Sequence, residues 1–377
     1  MRSHGAERLV WLDSMRLMAG LSMVGLHATA DITGQPFSGF SATDRVGPMF
    51  IRSLLYVART ELFLMISVFL LLLALQHNQR SYGQTIAIQA RRLLVPFAFW
   101  TVFYALFSLI KAHYFGYGAT AIDHLFSTER WAGFLLLGTA KYHMHFIPTL
   151  FGLILIYPLF RAAQRHPALG FSVFACLLTK READLYLYHH YWGHEILPYL
   201  VRVVKLITYA GYGMATAALL TLWQGSTVKA RQKWLIPILL TGAILFACKL
   251  SATWQTIETG KWAFDHTPGY WADFLMPVLL FGLCMCLGHR NWPPILSRLA
   301  PYAFGIYLCH PIFLDFAEML AQQPGHTPMQ MVGIKIGLAL PLTCSFVFAL
   351  SHSRHLAWTI GLGPLPWPDL APSTTAT

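Results

Sequence analysis

The sequence predicts an all-α fold, a polytopic integral membrane protein of about ten transmembrane helices. Of its 377 residues 56% are hydrophobic and only 11% charged, where soluble domains carry roughly 25% charged residues. Mean hydropathy is +0.50, and apolar stretches of about 20 residues, enough to cross a bilayer, recur along the whole chain. No repeat, low-complexity tract or second domain interrupts them. The expected organisation is a membrane domain over 1–355 and a flexible cytoplasmic tail over 356–377, rich in Pro and small polar residues.

The expected spans, in order, are 10–30, 57–76, 93–113, 145–160, 167–180, 203–224, 235–250, 270–288, 300–317 and 331–351. The first should remain in place. Its apolar run is broken by charges and ends in His27 and Asp31 rather than in a small-residue cleavage site. The fifth is short, and the second carries Glu61.

Basic residues set the orientation. Arg2, Arg8, Arg80, Arg91, Arg92, Arg161, Arg165, Lys229, Arg231, Lys233, Arg290 and Arg298 fall on one side of these spans. The opposite connections are longer and less basic, although Lys180, Arg181, Arg202 and Lys205 lie there. Both termini are then cytoplasmic. The net charge of +11 reads as topology and contact with anionic membrane lipid. A nucleic-acid partner is not expected, since no basic, aromatic-interleaved patch accompanies the charge. Cys176, Cys248, Cys284, Cys286, Cys309 and Cys344 all lie in apolar stretches and read as buried thiols. No metal site is expected, because Cys284 and Cys286 lack a second pair.

LDSMRLMAGLSMVGLHATAD (12–31) is the stretch whose polar residues need explaining. Arg16 and His27 are eleven residues apart, about three turns and about 16 Å along a helix, so they share one face. That stripe offers a permanent cation low down and a titratable base higher up. Asp31, four residues beyond His27, is placed to orient the imidazole. The plainer alternative is that Arg16 snorkels and His27 caps the span.

Glu61 is an intramembrane acid and so a functional candidate, with His27 or Arg59 as its partner. His143 and His145 open the fourth span at a depth similar to His27, and His310 stands before Pro311, whose freed carbonyl it could bond. LYLYHHYWGHEILPYL (185–200) and TWQTIETGKWAFDHTPGYW (253–271) are dense in aromatic rings. These suit an interfacial belt or stacking on sugars, with Tyr191, Trp192 and Trp271 as acceptor-site candidates. Lys249, Asp273 and Lys335 read as snorkelling or pairing residues.

Arg, ten residues, His in a first span resembles the membrane acyltransferase-three family of carbohydrate O-acyltransferases. ELFLMISVFLLLL (61–73) is similar to its second-span segment, with Ser67 retained and Val68 in place of a glycine. RRLLVPFAFW (91–100) is similar to its arginine-rich third-span entry, with adjacent arginines in place of a spaced pair. YHMHFIPTLFGLILIYPLF (142–160) resembles its fourth span, with His145 in place of a tryptophan. LSRLAPYAFGIYLCHPIFL (296–314) resembles its GIYLxHP segment. The likeness runs in order from about residue 10 to 350, and the start is similar to the subgroup that succinylates periplasmic glucans. The hydrolase-like outer domain of some members is not expected here.

The resemblance implies a bacterial inner-membrane enzyme. It would move an acyl group from cytoplasmic acyl-CoA, succinyl-CoA or acetyl-CoA, to hydroxyls of an extracytoplasmic glucan or other envelope polysaccharide. Arg16, Arg91 and Arg92, with Ser67, are then expected at the CoA donor, since guanidinium groups match phosphate. His27 is the expected general base, and Asp31, Glu61, His143 and His310 join it as catalytic candidates. His145 joins the aromatic residues at the carbohydrate acceptor. Direct attack on the thioester is favoured over an acyl-histidine. A homo-oligomer is compatible with the sequence. The rival reading is a multi-span transporter or flippase for an envelope saccharide, which would use the same buried charges as a pathway; a purely structural assembly partner is a second.

Overall fold

The computed structural model describes residues 9–365. Arg2 and Arg8, used above for orientation, and the chain from 366 onward lie outside the described residues. The helices are α1 (Val10–Ala28), α2 (Ala42–Leu55), α3 (Thr60–His77), α4 (Tyr82–Tyr114), α5 (Gly118–Phe126), α6 (Thr128–Ala132), α7 (Phe146–Leu155), α8 (Tyr157–Arg165), α9 (Ser172–Tyr191) and α10 (Leu197–Gly225). They continue as α11 (Val228–Gln232), α12 (Leu235–Thr259), α13 (Thr267–Cys286), α14 (Pro294–Leu299), α15 (Ala303–Ala321) and α16 (Pro328–His352). No strand occurs among the described residues. The reason is general: a backbone in lipid must satisfy its own hydrogen bonds, and a helix does so within one segment.

Each of the ten expected spans falls on a helical segment. Seven segments are long and apolar enough to cross a membrane, or eight if α7 and α8, bent by 61°, count as one span. The two that fall short are α1 and α9. Lys180, Arg181, Glu182 and Asp184 interrupt α9, and Arg181 Nη2 meets Thr267 Oγ1 at 2.8 Å, level with the start of α13. The last turns of α9 therefore stand clear of that neighbour, and Trp192 at their end is 76% exposed.

α1 owes its polarity to a different position. Fourteen of its nineteen residues are buried, against α3, α13, α14, α15 and α16. Trp11 anchors its first turn between Phe69 and Phe281, with ring centroids 5.8 Å from each. Gly20 lets the α15 backbone approach, since a Cβ there would stand 3.2 Å from the Ala303 carbonyl oxygen. An internal helix can carry polar groups, because protein rather than lipid surrounds them. α12 shows the opposite design: Ile236, Leu240 and Ile244 are 61–70% exposed, an apolar face for lipid.

Two expectations need correction. The segment expected to open a flexible tail is packed, because Ala357–Ile360 forms a 3₁₀ turn with Ile360 buried. Trp100 Nε1 donates to the Thr359 carbonyl at 2.8 Å, giving a buried indole the acceptor it requires. Nor are all six thiols buried. All are free, but Cys344 is exposed and Cys176 and Cys248 are half-buried.

Gly213 on α10 faces the Phe160 ring so closely that an added Cβ would overlap it, and Phe160 is fully buried. Gly213→Ala should therefore destabilise the detergent-solubilised protein by about 1–3 kcal/mol, the usual cost of overpacking. Gly242→Ala, where an added Cβ meets nothing within 4 Å, should not lower the unfolding midpoint. Equal midpoints for the two variants in thermal unfolding would contradict the packing described.

Candidate active site

Pro311 interrupts the hydrogen-bond ladder of α15. It has no amide hydrogen to give the Tyr307 carbonyl one turn earlier. His310 supplies the missing donor, with Nδ1 2.7 Å from the Tyr307 oxygen. A carbonyl only accepts, so Nδ1 carries the proton and Nε2 is left with a lone pair. That Nε2 is buried and has no partner. The backbone role anticipated for His310 is thus real, and it fixes the ring in the tautomer a base requires.

Two further imidazoles pack against this ring. His27, in the last turn of α1, stacks on His310 at 5.5 Å between centroids and 22° between planes. His143 meets His310 edge-on at 5.1 Å. Tyr142 covers His27 at 4.1 Å, while Tyr104 and Tyr307 flank His143 at 5.3 and 5.1 Å. Four ring nitrogens of the trio are buried without a partner: His27 Nε2, both nitrogens of His143, and His310 Nε2. Buried polar atoms are nearly always satisfied, so four orphans in one place mark a site shaped for a polar guest.

Backbone contacts hold the trio. The Tyr307 hydroxyl donates to the His143 carbonyl, and the Tyr104 hydroxyl to the Leu308 carbonyl at 2.5 Å. Gly138, at φ 70°, turns the chain back so closely that a Cβ there would stand 2.6 Å from the His145 nitrogen. Arg52 caps α1, donating to the Leu26 carbonyl at 2.5 Å and to Thr29 Oγ1 at 3.3 Å. A cation suits a helix C-terminus.

Beyond His310 on α15, Asp315 and Glu318 gather three lysines. Lys111 pairs with both acids, Lys141 with Asp315, and Lys335 with Glu318 at 2.9 Å. Lys335 also donates to the Ala30 carbonyl at 2.7 Å, tying α16 to the end of α1. Sequence reasoning singles out only Lys335 here. The available signal is an Asp and a Glu three residues apart at the end of an apolar span.

On the other side of α1 lies a cation–aromatic cluster. Glu61 pairs with Arg59 at 3.2 Å and accepts from the Tyr209 hydroxyl at 2.5 Å, so Arg59 rather than His27 is its partner. Lys249 pairs with Asp273 at 2.7 Å. Tyr56, at the α2–α3 break, has Lys249 Nζ 3.9 Å and Arg59 Cζ 4.4 Å from its ring centroid.

Several expected site residues lie elsewhere. Asp31 does not orient His27. Its carboxylate accepts from the Thr33 amide and hydroxyl and from the Gln35 amide at 2.7–2.9 Å, closing its own turn. His145 caps α7 outside the trio, its carbonyl accepting from Arg202 at 2.8 Å, and its Nδ1 has no partner. Ser67 is half-buried on α3 and hydrogen-bonds none of the three histidines. Arg16 pairs with Asp13 at 3.9 Å, and Asp13 also accepts from Ser297 at 2.8 Å. Arg91 and Arg92 are exposed on α4. Arg92 is twelve residues from Tyr104, about 18 Å along α4. Trp271 packs near Phe174 at the start of α9, whereas Tyr191 and Trp192 are at its far end. The three aromatic candidates are not one surface. Among the described residues no group of three or more His, Cys, Asp or Glu is placed to hold a metal ion.

A family model described as an acyltransferase domain, that of the acyltransferase-three family, matches residues 9–352. The chain belongs to that family. No curated protein and no solved structure matches it. The match runs from the entry of α1 to the end of α16, and so contains every residue of the histidine trio. An acyltransferase with several membrane-spanning helices is therefore the class to which this chain belongs.

Pro311→Ala restores an amide that competes with His310 for the Tyr307 carbonyl. The imidazole should then lose its fixed tautomer and orientation. A misplacement of about 1 Å costs on the order of 100-fold, so acyl transfer should fall by about that factor with helix content by circular dichroism unchanged. Full activity in this variant would show that the Tyr307 contact does not set the ring.

Proposed function

We propose that this protein transfers an acyl group from cytoplasmic acyl-CoA to a hydroxyl of an extracytoplasmic envelope polysaccharide, with the histidine trio as the reaction centre. The observation that carries the reading is the convergence of three imidazoles bearing four unpartnered nitrogens at the end of α1. The permanent cation Arg16 stands about 16 Å further down the same helix. An extended pantetheine arm is of that order. Arg16, with Arg91 and Arg92, would engage the CoA phosphates, and the thioester would reach the histidines.

In this scheme His27 accepts the proton of the acceptor hydroxyl as its oxygen attacks the thioester carbonyl carbon. The tetrahedral oxyanion needs donors, and the N–H of a neutral His143 is a candidate. Collapse breaks the carbon–sulfur bond, and the imidazolium returns its proton to the leaving thiolate. The ester stays on the polysaccharide and CoA stays on the side it came from. Glu61 serves by holding Arg59 and Tyr209 rather than by touching substrate.

The basic side of the chain supports cytoplasmic termini in a bacterial inner membrane. Succinyl or acetyl transfer to a periplasmic glucan fits this arrangement. Tyr191 and Trp192, on the part of α9 that stands clear of α13, would meet the carbohydrate.

Protein oriented in liposomes, with labelled acyl-CoA on the Arg16 side and glucan on the other, should move label covalently onto the glucan. His27→Ala should lower that rate by roughly 100- to 10,000-fold, as for a lost general base, while still binding CoA. Appearance of intact acyl-CoA across the membrane would support a transport pathway and overturn the reading. Arg16→Ala should weaken CoA binding by calorimetry, and Arg16→Lys should restore only part, lacking the planar fork. Unchanged CoA affinity in both would remove Arg16 from the donor site.

A further inference from the structure

The cluster on the far side of α1 from the lysine–acid network holds more positive charge than its own carboxylates neutralise. Three ion pairs are complete there: Arg59 with Glu61, Lys249 with Asp273, and Lys180 with Asp184. Arg52, Arg202 and Lys205 remain, and none has a carboxylate within ion-pairing distance among the described residues. The two arginines at least have neutral acceptors: Arg52 the Leu26 carbonyl, and Arg202 the carbonyls of His145 and Leu137 and the hydroxyl of Thr149. The Lys205 ammonium has neither a hydrogen bond nor an ion pair among the described residues. Its close contact is with a ring, its Nζ lying 5.1 Å from the centroid of Tyr209.

A half-buried ammonium with no carboxylate in direct contact is expensive to hold in a membrane-embedded bundle. Snorkelling is the usual relief, yet Lys205 stays beside Tyr209, whose hydroxyl donates to Glu61. A second observation points the same way. One turn away on α10, Arg202 grips the His145 carbonyl, and the buried Nδ1 of His145 has no partner. Surplus cations and an orphan imidazole nitrogen are thus adjacent, and Arg52 ties the same cluster to the residue preceding His27.

We propose that this cluster binds a carboxylate carried by one of the two substrates, with Lys205 as its principal counter-charge and Arg59 and Arg202 flanking it. The proposal rests on the reading of the histidine trio as the acyl-transfer centre, and it assigns that centre a substrate with a negative group close to the reacting atoms. Two sources share this chemistry: a carboxylate at the end of the acyl chain, or an acidic substituent on the acceptor sugar.

The test compares paired substrates on the full-length protein in liposomes. In the donor arm, succinyl-CoA and butyryl-CoA, which differ chiefly in the terminal carboxylate, are offered with a neutral glucan oligomer. In the acceptor arm, acetyl-CoA is offered with galacturonic-acid oligomers and with neutral galactose oligomers. The charged member should be preferred in one arm, which identifies the source. Lys205→Met should reduce that preference about 10- to 100-fold, the size of a charge-assisted hydrogen bond, chiefly through KM. Lys205→Arg should restore most of it.

No charge preference in either arm, with transfer intact, would overturn this proposal and leave the acyltransferase reading standing. An equal loss for charged and neutral substrates in Lys205→Met would also overturn it, as the mark of a structural lysine. Absence of transfer from every donor by the unaltered protein would instead bring down the function proposed above, and this inference with it.

Discussion

The Tyr307 carbonyl is the point from which the histidine end of the bundle is built. Pro311 removes its natural donor, and in a nonpolar interior an unsatisfied carbonyl costs on the order of 1–3 kcal/mol. His310 is the side chain placed to satisfy it. That bond decides which nitrogen of His310 is bare, and the stacking of His27 and the edge contact of His143 then assemble on a ring that cannot turn. The Tyr307 side chain does a second job, holding the His143 carbonyl while packing on Phe63 and Phe146. One proline thus couples the open hydrogen bond of α15, the tautomer of its histidine and the position of the loop before α7.

Charge is arranged around this centre in two unlike ways. Beyond His310, three lysines share two carboxylates, and Lys335 reaches across to the Ala30 carbonyl. Such a network fixes α4, α15 and α16 relative to the end of α1. A buried pair is weak evidence for stability, but several linked pairs define one geometry. On the other side, cations face aromatic rings as often as acids, with Tyr56 taking Arg59 and Lys249 and Phe274 taking Arg59 and Lys180. A ring attracts a cation without cancelling its charge, so this side keeps a positive field where the first keeps a nearly neutral one.

The part of the site that is legible in the amino-acid sequence is the part written within single helices. Helical periodicity alone puts Arg16 and His27 on one stripe of α1, and the proline after His310 announces a freed carbonyl. Local spacing misleads where a loop can capture the side chain. Asp31 stands four residues after His27, but α1 ends at Ala28, and the carboxylate closes its own turn on Thr33 and Gln35. Glu61 is recognisable as an intramembrane acid, yet one of its two partners, Tyr209, is 148 residues distant in sequence. Arg52, Lys111 and Lys141 carry no local signal of their roles, because nothing in a run of apolar residues says which charge of another helix it will face.

The sequence by itself determined that this chain is a helical membrane protein and where its apolar helical segments lie, because a bilayer demands about 20 apolar residues per crossing and that demand is local. It also determined the family, through motifs that run in order along the chain. Tertiary structure alone decided that α1 is an internal helix rather than a lipid-facing one, that three histidines from α1, α15 and the turn before α7 share one site, and that Ala357–Ile360 belongs to the core. Those outcomes depend on which helix faces which. Contacts between segments tens to hundreds of residues apart are set by the packing of all the helices together, and no periodicity within one of them encodes it.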